Sequence, residues 1–341
     1  MKRRHQWLVS VVLGAATLAA LGLAYFDWHG LRENPLAINA ATHAVESAGP
    51  ITPLPLGVAL DLHKVALGDR LFHEGRLSSD GMVSCAHCHN LATGGVDRRP
   101  RALGVGGQEG EVNTPTVFNS GLNFRQFWDG RAPTLEDQVN GPLHNPLEMD
   151  NSWPKALAVL SGDASYKAEF ARIYQDGINA RNVRDAIATF ERSLITPNAR
   201  FDLFLKGNQA ALTEAEQAGY RLFKQIGCTS CHQGAAIGGN MYQKLGIMED
   251  YFAQRPNRAA DLGRFNQTKN EEDRHFFKVP SLRNVAVTAP YLHDASAATL
   301  TDAVQVMARY QLGKNLDAQE IASIVAFLHT LTGEYLGRPL Q

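Results

Sequence analysis

Cys85-Ala86-His87-Cys88-His89 is the stretch that decides the fold, and the chain repeats its form as Cys228-Thr229-Ser230-Cys231-His232. Two thiols separated by two residues, with a histidine directly after the second, are what covalent haem attachment requires: each cysteine reaches a vinyl group, and the histidine is carried beneath the iron. The two pentapeptides use all four cysteines. No thiol is left for a structural disulfide. A four-cysteine zinc site would not need a histidine in both copies, and a thioredoxin-like dithiol would not recur. Two c-type haems are therefore expected, one on Cys85, Cys88 and His89, the other on Cys228, Cys231 and His232.

The sequence around each motif repeats as well. Gly68-Asp69-Arg70-Leu71-Phe72 precedes the first, and Gly219-Tyr220-Arg221-Leu222-Phe223 precedes the second. In each copy the glycine removes a side chain where another helix can cross closely, and the phenylalanine four residues on faces the same side. Thr213-Glu214-Ala215-Glu216 has the form of a capping box. Each half closes with an amphipathic helix, carried by Val183, Ile187, Phe190 and Leu194 in the first and by Ile321, Ile324, Val325, Leu328 and Leu331 in the second. Strand signals are weak. The pattern predicts a mainly α protein with two cytochrome c-like helical domains, residues 55–205 and 206–341, joined near Thr196 to Asn208.

Lys2-Arg3-Arg4 is a basic cap on an uncharged run from Trp7 to Phe26. Basic residues stay on the cytoplasmic side, so the body is exported to the periplasm. The run would be about 30 Å long as a helix, enough to span a bilayer, while Gly22-Leu23-Ala24 offers a small-residue cleavage site. Residues 1–30 are expected to be either a cleaved signal peptide or a retained inner-membrane anchor. Residues 31–54, with Pro35, Pro50 and Pro53 among Ala, Thr and Ser, read as a tether with little helical order. A net charge of -1 with 20% charged residues leaves no basic field for nucleic acid.

What binds each iron on its other face separates an electron carrier from a catalyst. In the second half the candidates are Met241, Met248 and Met307. Met307, shortly before the closing helix, has the placement of a thioether ligand, which favours ferrous iron and would make this haem the electron-accepting one; the alternative is a core methionine on the face it shares with Val304 and Ala308. The first half has no histidine between His89 and His144. If Met149 ligates there, the protein is a two-haem shuttle. If the position is open, Glu148 and Gln138 supply what splitting a peroxide requires, a carboxylate to move a proton and an amide to hold the oxygen.

Cys85 to Leu91, Asn113-Thr114-Pro115-Thr116-Val117-Phe118-Asn119 and Gln126-Phe127-Trp128-Asp129-Gly130-Arg131 resemble the bacterial di-haem cytochrome c peroxidases. So do Val279-Pro280-Ser281-Leu282-Arg283-Asn284 and Thr288-Ala289-Pro290-Tyr291-Leu292-His293-Asp294, and the match runs from about Pro55 to Gly333. The resemblance implies that the His89 haem meets hydrogen peroxide and that the His232/Met307 haem is the high-potential one. It implies Glu148 as the acid-base carboxylate, Gln138 as the distal amide and Trp128 as the ring between the haems. It also implies a calcium site made by the Asn113 side chain and the carbonyls of Thr288 and Pro290. The expected donor is a small cytochrome c or cupredoxin, and a homodimer is expected from the family alone. Many members carry a histidine that caps the first iron in the resting enzyme; counted from His89, that place falls on Val105, which cannot ligate iron. A relative in the same superfamily oxidises tryptophans on a partner protein, but it has a tyrosine where Met307 stands.

Overall fold

Gly68 and Gly219 are the two points where helices meet backbone to backbone. In the computed structural model, which describes residues 49–256 and 258–341, α1 (Leu62–Phe72) packs on α2 (Ala180–Ser193), and α3 (Glu214–Gln225) packs on α4 (Ala318–His329). A β-carbon at Gly68 would overlap the Ala186 carbonyl, and one at Gly219 the Ser323 carbonyl. The buried stripes are those expected: Val183, Ile187 and Phe190 on α2, Ile321, Ile324 and Leu328 on α4. The capping box of Thr213 and Glu216 starts α3, and a second, of Asp317 and Glu320, starts α4.

These pairs seed two apolar clusters. The first includes Phe72, Phe118, Leu143, Ile187 and Phe190; the second includes Phe201, Tyr220, Phe223, Ile237 and Phe327. The fold is mainly helical, with short strands such as β1 (Tyr242–Lys244) paired antiparallel to β2 (Phe276–Lys278). Phe201 already belongs to the second cluster, so the chain passes from one core to the other at Thr196–Ala199, slightly before the boundary expected at residue 205.

One expectation needs correction. The segment read as a tether ends in a packed stretch, with Ile51 0% and Leu54 2% exposed against the second core. The cause is a buried ion pair, Arg283 with Asp202 at 2.8 Å, both side chains fully enclosed. Thr52 O accepts a third contact from the Arg283 guanidinium, and Leu54 N donates to Asp202 Oδ1 at 3.1 Å. Enclosed charges need such partners. The export run Trp7 to Phe26 and the rest of the tether up to residue 48 lie outside the described residues. Among the described residues no helix is long and apolar enough to cross a membrane.

The halves repeat in detail. Gln126 bridges to Ala132 as Tyr291 does to Ala297, and both turns hold a residue at positive φ in second place, Phe127 at 68° and Leu292 at 71°. Thr134 caps a helix after the first bridge, and Thr299 caps Leu300–Val306 after the second. Asn119 and Asn284, seven residues before each bridge, are both left-handed, at φ 61° and 62°. Their amides converge on one hydroxyl: Asn119 Nδ2 and Asn284 Nδ2 donate to Thr196 Oγ1 at 2.8 and 3.0 Å. Thr196, in the crossover between cores, is thus the point about which the two halves are related.

Replacing Gly68 or Gly219 by alanine is expected to destabilise the protein by roughly 1–3 kcal/mol, because the carbonyl opposite cannot move without its helix. Chemical denaturation of each variant checks this. Unchanged midpoints would mean the helices are not in backbone contact.

Candidate functional site

Each pentapeptide forms a single turn. Ser84 precedes the helical turn Cys85–Cys88, and His89 N donates to Cys85 O at 2.9 Å; in the second copy His232 N donates to Cys228 O at 3.0 Å. The histidines are set alike, His89 Nδ1 3.3 Å from Gly95 O and His232 Nδ1 3.2 Å from Ile237 O. A ring whose Nδ1 hydrogen is given to a carbonyl presents Nε2 as a lone pair. Burial lowers both imidazoles, His232 to about 4, so each stays neutral as a ligand must. None of the four cysteines is in a disulfide.

Both turns open onto cavities. The one at Cys85, Cys88 and His89 is about 160 Å³, the one at Cys228, Cys231 and His232 about 260 Å³. They share a wall, Asn113 to Thr116. Trp128 borders the second cavity and donates from Nε1 to Asn113 O at 2.8 Å. The wall is held from both sides: Asn113 N donates to His293 O at 2.9 Å, and Lys278 N to Trp128 O at 2.8 Å.

Gln138 and Glu148 face the first cavity. Gln138 ends the short helix Leu135–Gln138, capped by Thr134. Glu148 sits in a turn where Asn145 Nδ2 donates to its Oε1 at 2.6 Å; burial is the largest influence on it and raises its carboxyl above the usual range. Its backbone is braced by the loop that carries Val105, whose amide donates to Glu148 O at 2.8 Å. Val105 packs on the first core and is not part of the cavity wall. His144 is exposed, with Nδ1 3.1 Å from Asn151 O, and is not on the wall either. Met149 is 5% exposed, a member of the first core at the cavity's edge.

Of Met241, Met248 and Met307, Met307 alone lines the second cavity; Met248 is 62% exposed. Met307 opens a π-helical turn, Met307–Gln311, of the kind that recurs at functional sites. Asn113, Thr288 and Pro290 all border this cavity too. Among the described residues there is no cluster of three or more His, Cys, Asp or Glu side chains able to hold a metal ion.

Sequence reasoning passed over three charged residues. Glu191 is 5% exposed among the residues lining the first cavity, its Oε2 unpartnered; burial raises it to about 8 against the opposing pull of Arg192, which itself pairs with Glu136 at 2.7 Å. Glu111 borders the same cavity, and Lys278 the other. A signal existed for Glu191: it falls four residues after Ile187, in step with the apolar stripe. Both walls are mainly apolar in surface, which with a Cys-x-x-Cys-His turn in each fits a largely apolar macrocycle.

Residues 62–210 match the family model described as di-haem cytochrome c peroxidase. The chain is 49% identical over 288 residues to a cytochrome c peroxidase of Escherichia coli K12, covering 84% of this chain and 62% of that one. It is 42% identical to the cytochrome c551 peroxidase of Nitrosomonas europaea, covering 87% of this chain and 88% of the relative. Among solved structures, a MauG-like protein associated with microbial copper homeostasis superposes with a TM-score of 0.74 at 30% identity, over 84% of this chain and 94% of that one. The chain belongs to the di-haem cytochrome c peroxidase family.

Glu191 gives a test by pH. Its folded carboxyl keeps a proton that the unfolded chain loses above about pH 4.5, so stability falls as pH rises to about 8 and is flat beyond. Glu191→Gln removes that loss. The variant's stability advantage should grow between pH 5 and pH 8, by on the order of 2–4 kcal/mol in denaturation experiments. An advantage independent of pH would show the carboxyl to be ionised.

Proposed function

We propose that the protein is a periplasmic peroxidase that reduces hydrogen peroxide to water with electrons from a small donor, a cytochrome c or a cupredoxin. The observation that carries this is the division of labour between the cavities: Glu148 and Gln138 face the one at His89, and Met307 faces the one at His232. Cys85, Cys88 and His89 would hold one c-type haem, and Cys228, Cys231, His232 and Met307 the other. When bound, the haems supply the metal site for peroxide and the electrons that break the O–O bond.

The chain's own groups do the rest. Glu148, kept above the ordinary carboxylate range by burial, takes a proton from one peroxide oxygen and returns it to the other, the leaving one. Gln138 donates a hydrogen bond that holds the oxygen in line. The reaction balances as hydrogen peroxide, two electrons and two protons giving two waters. Trp128 offers the path for charge between the cavities, its indole hydrogen-bonded to the wall they share. Asn113 would serve as a calcium ligand: its Nδ2 is given to Arg99 O at 2.9 Å, which leaves Oδ1 as the oxygen that would hold the ion together with the carbonyls of Thr288 and Pro290.

Val105 places no ligand over the first cavity, so peroxide should meet the first haem without prior reduction. Mixing peroxide with fully oxidised protein is expected to change the absorption of one haem at once; a need for one-electron reduction first would contradict this. Glu148→Gln is expected to retain both haems while steady-state turnover with reduced cytochrome c falls ~10²-fold or more. Near-normal turnover would remove Glu148 from the reaction.

A further inference from the structure

Among the described residues the wall of the second cavity contains no aspartate or glutamate, and its one Lys or Arg side chain is Lys278. Lys278 closes β2, is 6% exposed and has no ion pair or side-chain hydrogen bond among the described residues. Its backbone is tied to Trp128 O at 2.8 Å, which fixes the residue where the halves meet. Burial alone lowers its ammonium to about 8, so it is still a cation near neutrality. A buried charge is retained where something pairs with it. Nothing on the protein side does. The first cavity differs in kind, its ionisable side chains including the carboxyls of Glu111, Glu148 and Glu191 beside the Arg131 guanidinium.

We propose that Lys278 is the counter-cation of the second haem, pairing with a carboxylate of the bound group and holding that haem's reduction potential above the first's. This rests on the two-haem assignment above. A positive charge enclosed near the iron favours the reduced state, which carries one positive charge fewer, and it does so strongly where water is excluded. Met307 and Lys278 then act in the same direction, one by coordination and the other through space.

The test is a spectroelectrochemical titration of the holoprotein with Lys278→Met and Lys278→Arg. In the methionine variant the wave of the second haem should shift to lower potential while that of the first stays put, and arginine should keep the second wave near its original place. Attachment of the second haem in the arginine variant but not in the methionine variant would equally support the pairing. An unmoved second wave in Lys278→Met, equal shifts in both variants, or loss of the second haem from both would overturn it. A wild-type protein with a single haem by pyridine haemochrome assay would instead refute the assignment on which the proposal rests.

Discussion

The structure depends on a backbone exchange across the wall between the two cavities. Asn113 gives its amide to His293 O, Lys278 gives its amide to Trp128 O, and the Trp128 indole returns to Asn113 O. Each bond is an ordinary one, contributing about 1 kcal/mol. Their effect lies in geometry, because the turn of each half is fastened to the other half, Trp128 to strand β2 and His293 to the extended segment at Asn113. The Asn119–Thr196–Asn284 network makes the same kind of bond deeper in the core, where an unmet amide would be costly. The cavities therefore cannot slide relative to each other without breaking buried hydrogen bonds.

On that symmetrical frame the side chains are not symmetrical. Trp128 in the first half occupies the place that His293 holds in the second, where it is 2.8 Å from Asp261 and 2% exposed. One turn thus presents a large ring to the shared wall, and its counterpart presents a buried hydrogen-bonded pair. The first cavity gathers carboxyls that burial raises, Glu148 and Glu191, and the second gathers a thioether and a lone ammonium. A duplicated helical unit thus lines its two cavities with different groups, carboxyls in one and a thioether with an ammonium in the other.

Much of this was legible in the sequence, because motifs with fixed local geometry report themselves. The paired cysteines with their histidines, the crossing glycines, the capping box of Thr213 and the stripes of α2 and α4 all follow from spacings of two to four residues. The packed stretch at Ile51 and Leu54 was not legible, since prolines and small residues there look like a tether, and what orders them is an ion pair between Asp202 and Arg283, far away in the chain. Lys278 and Glu191 escaped for a related reason. A charged residue is ordinarily solvated, and only the fold shows that these two face enclosed space. Gln138 and Glu148 were one of two readings of the first half until the resemblance favoured them, and the structure adds that both border the cavity at His89.

The inequality of the two cavities is measured most directly by low-temperature electron paramagnetic resonance of the fully oxidised holoprotein. The account predicts a low-spin signal from the haem at His232 and Met307 beside a high-spin signal from the haem at His89, with peroxide altering only the latter. Two low-spin signals, both indifferent to peroxide, would contradict it.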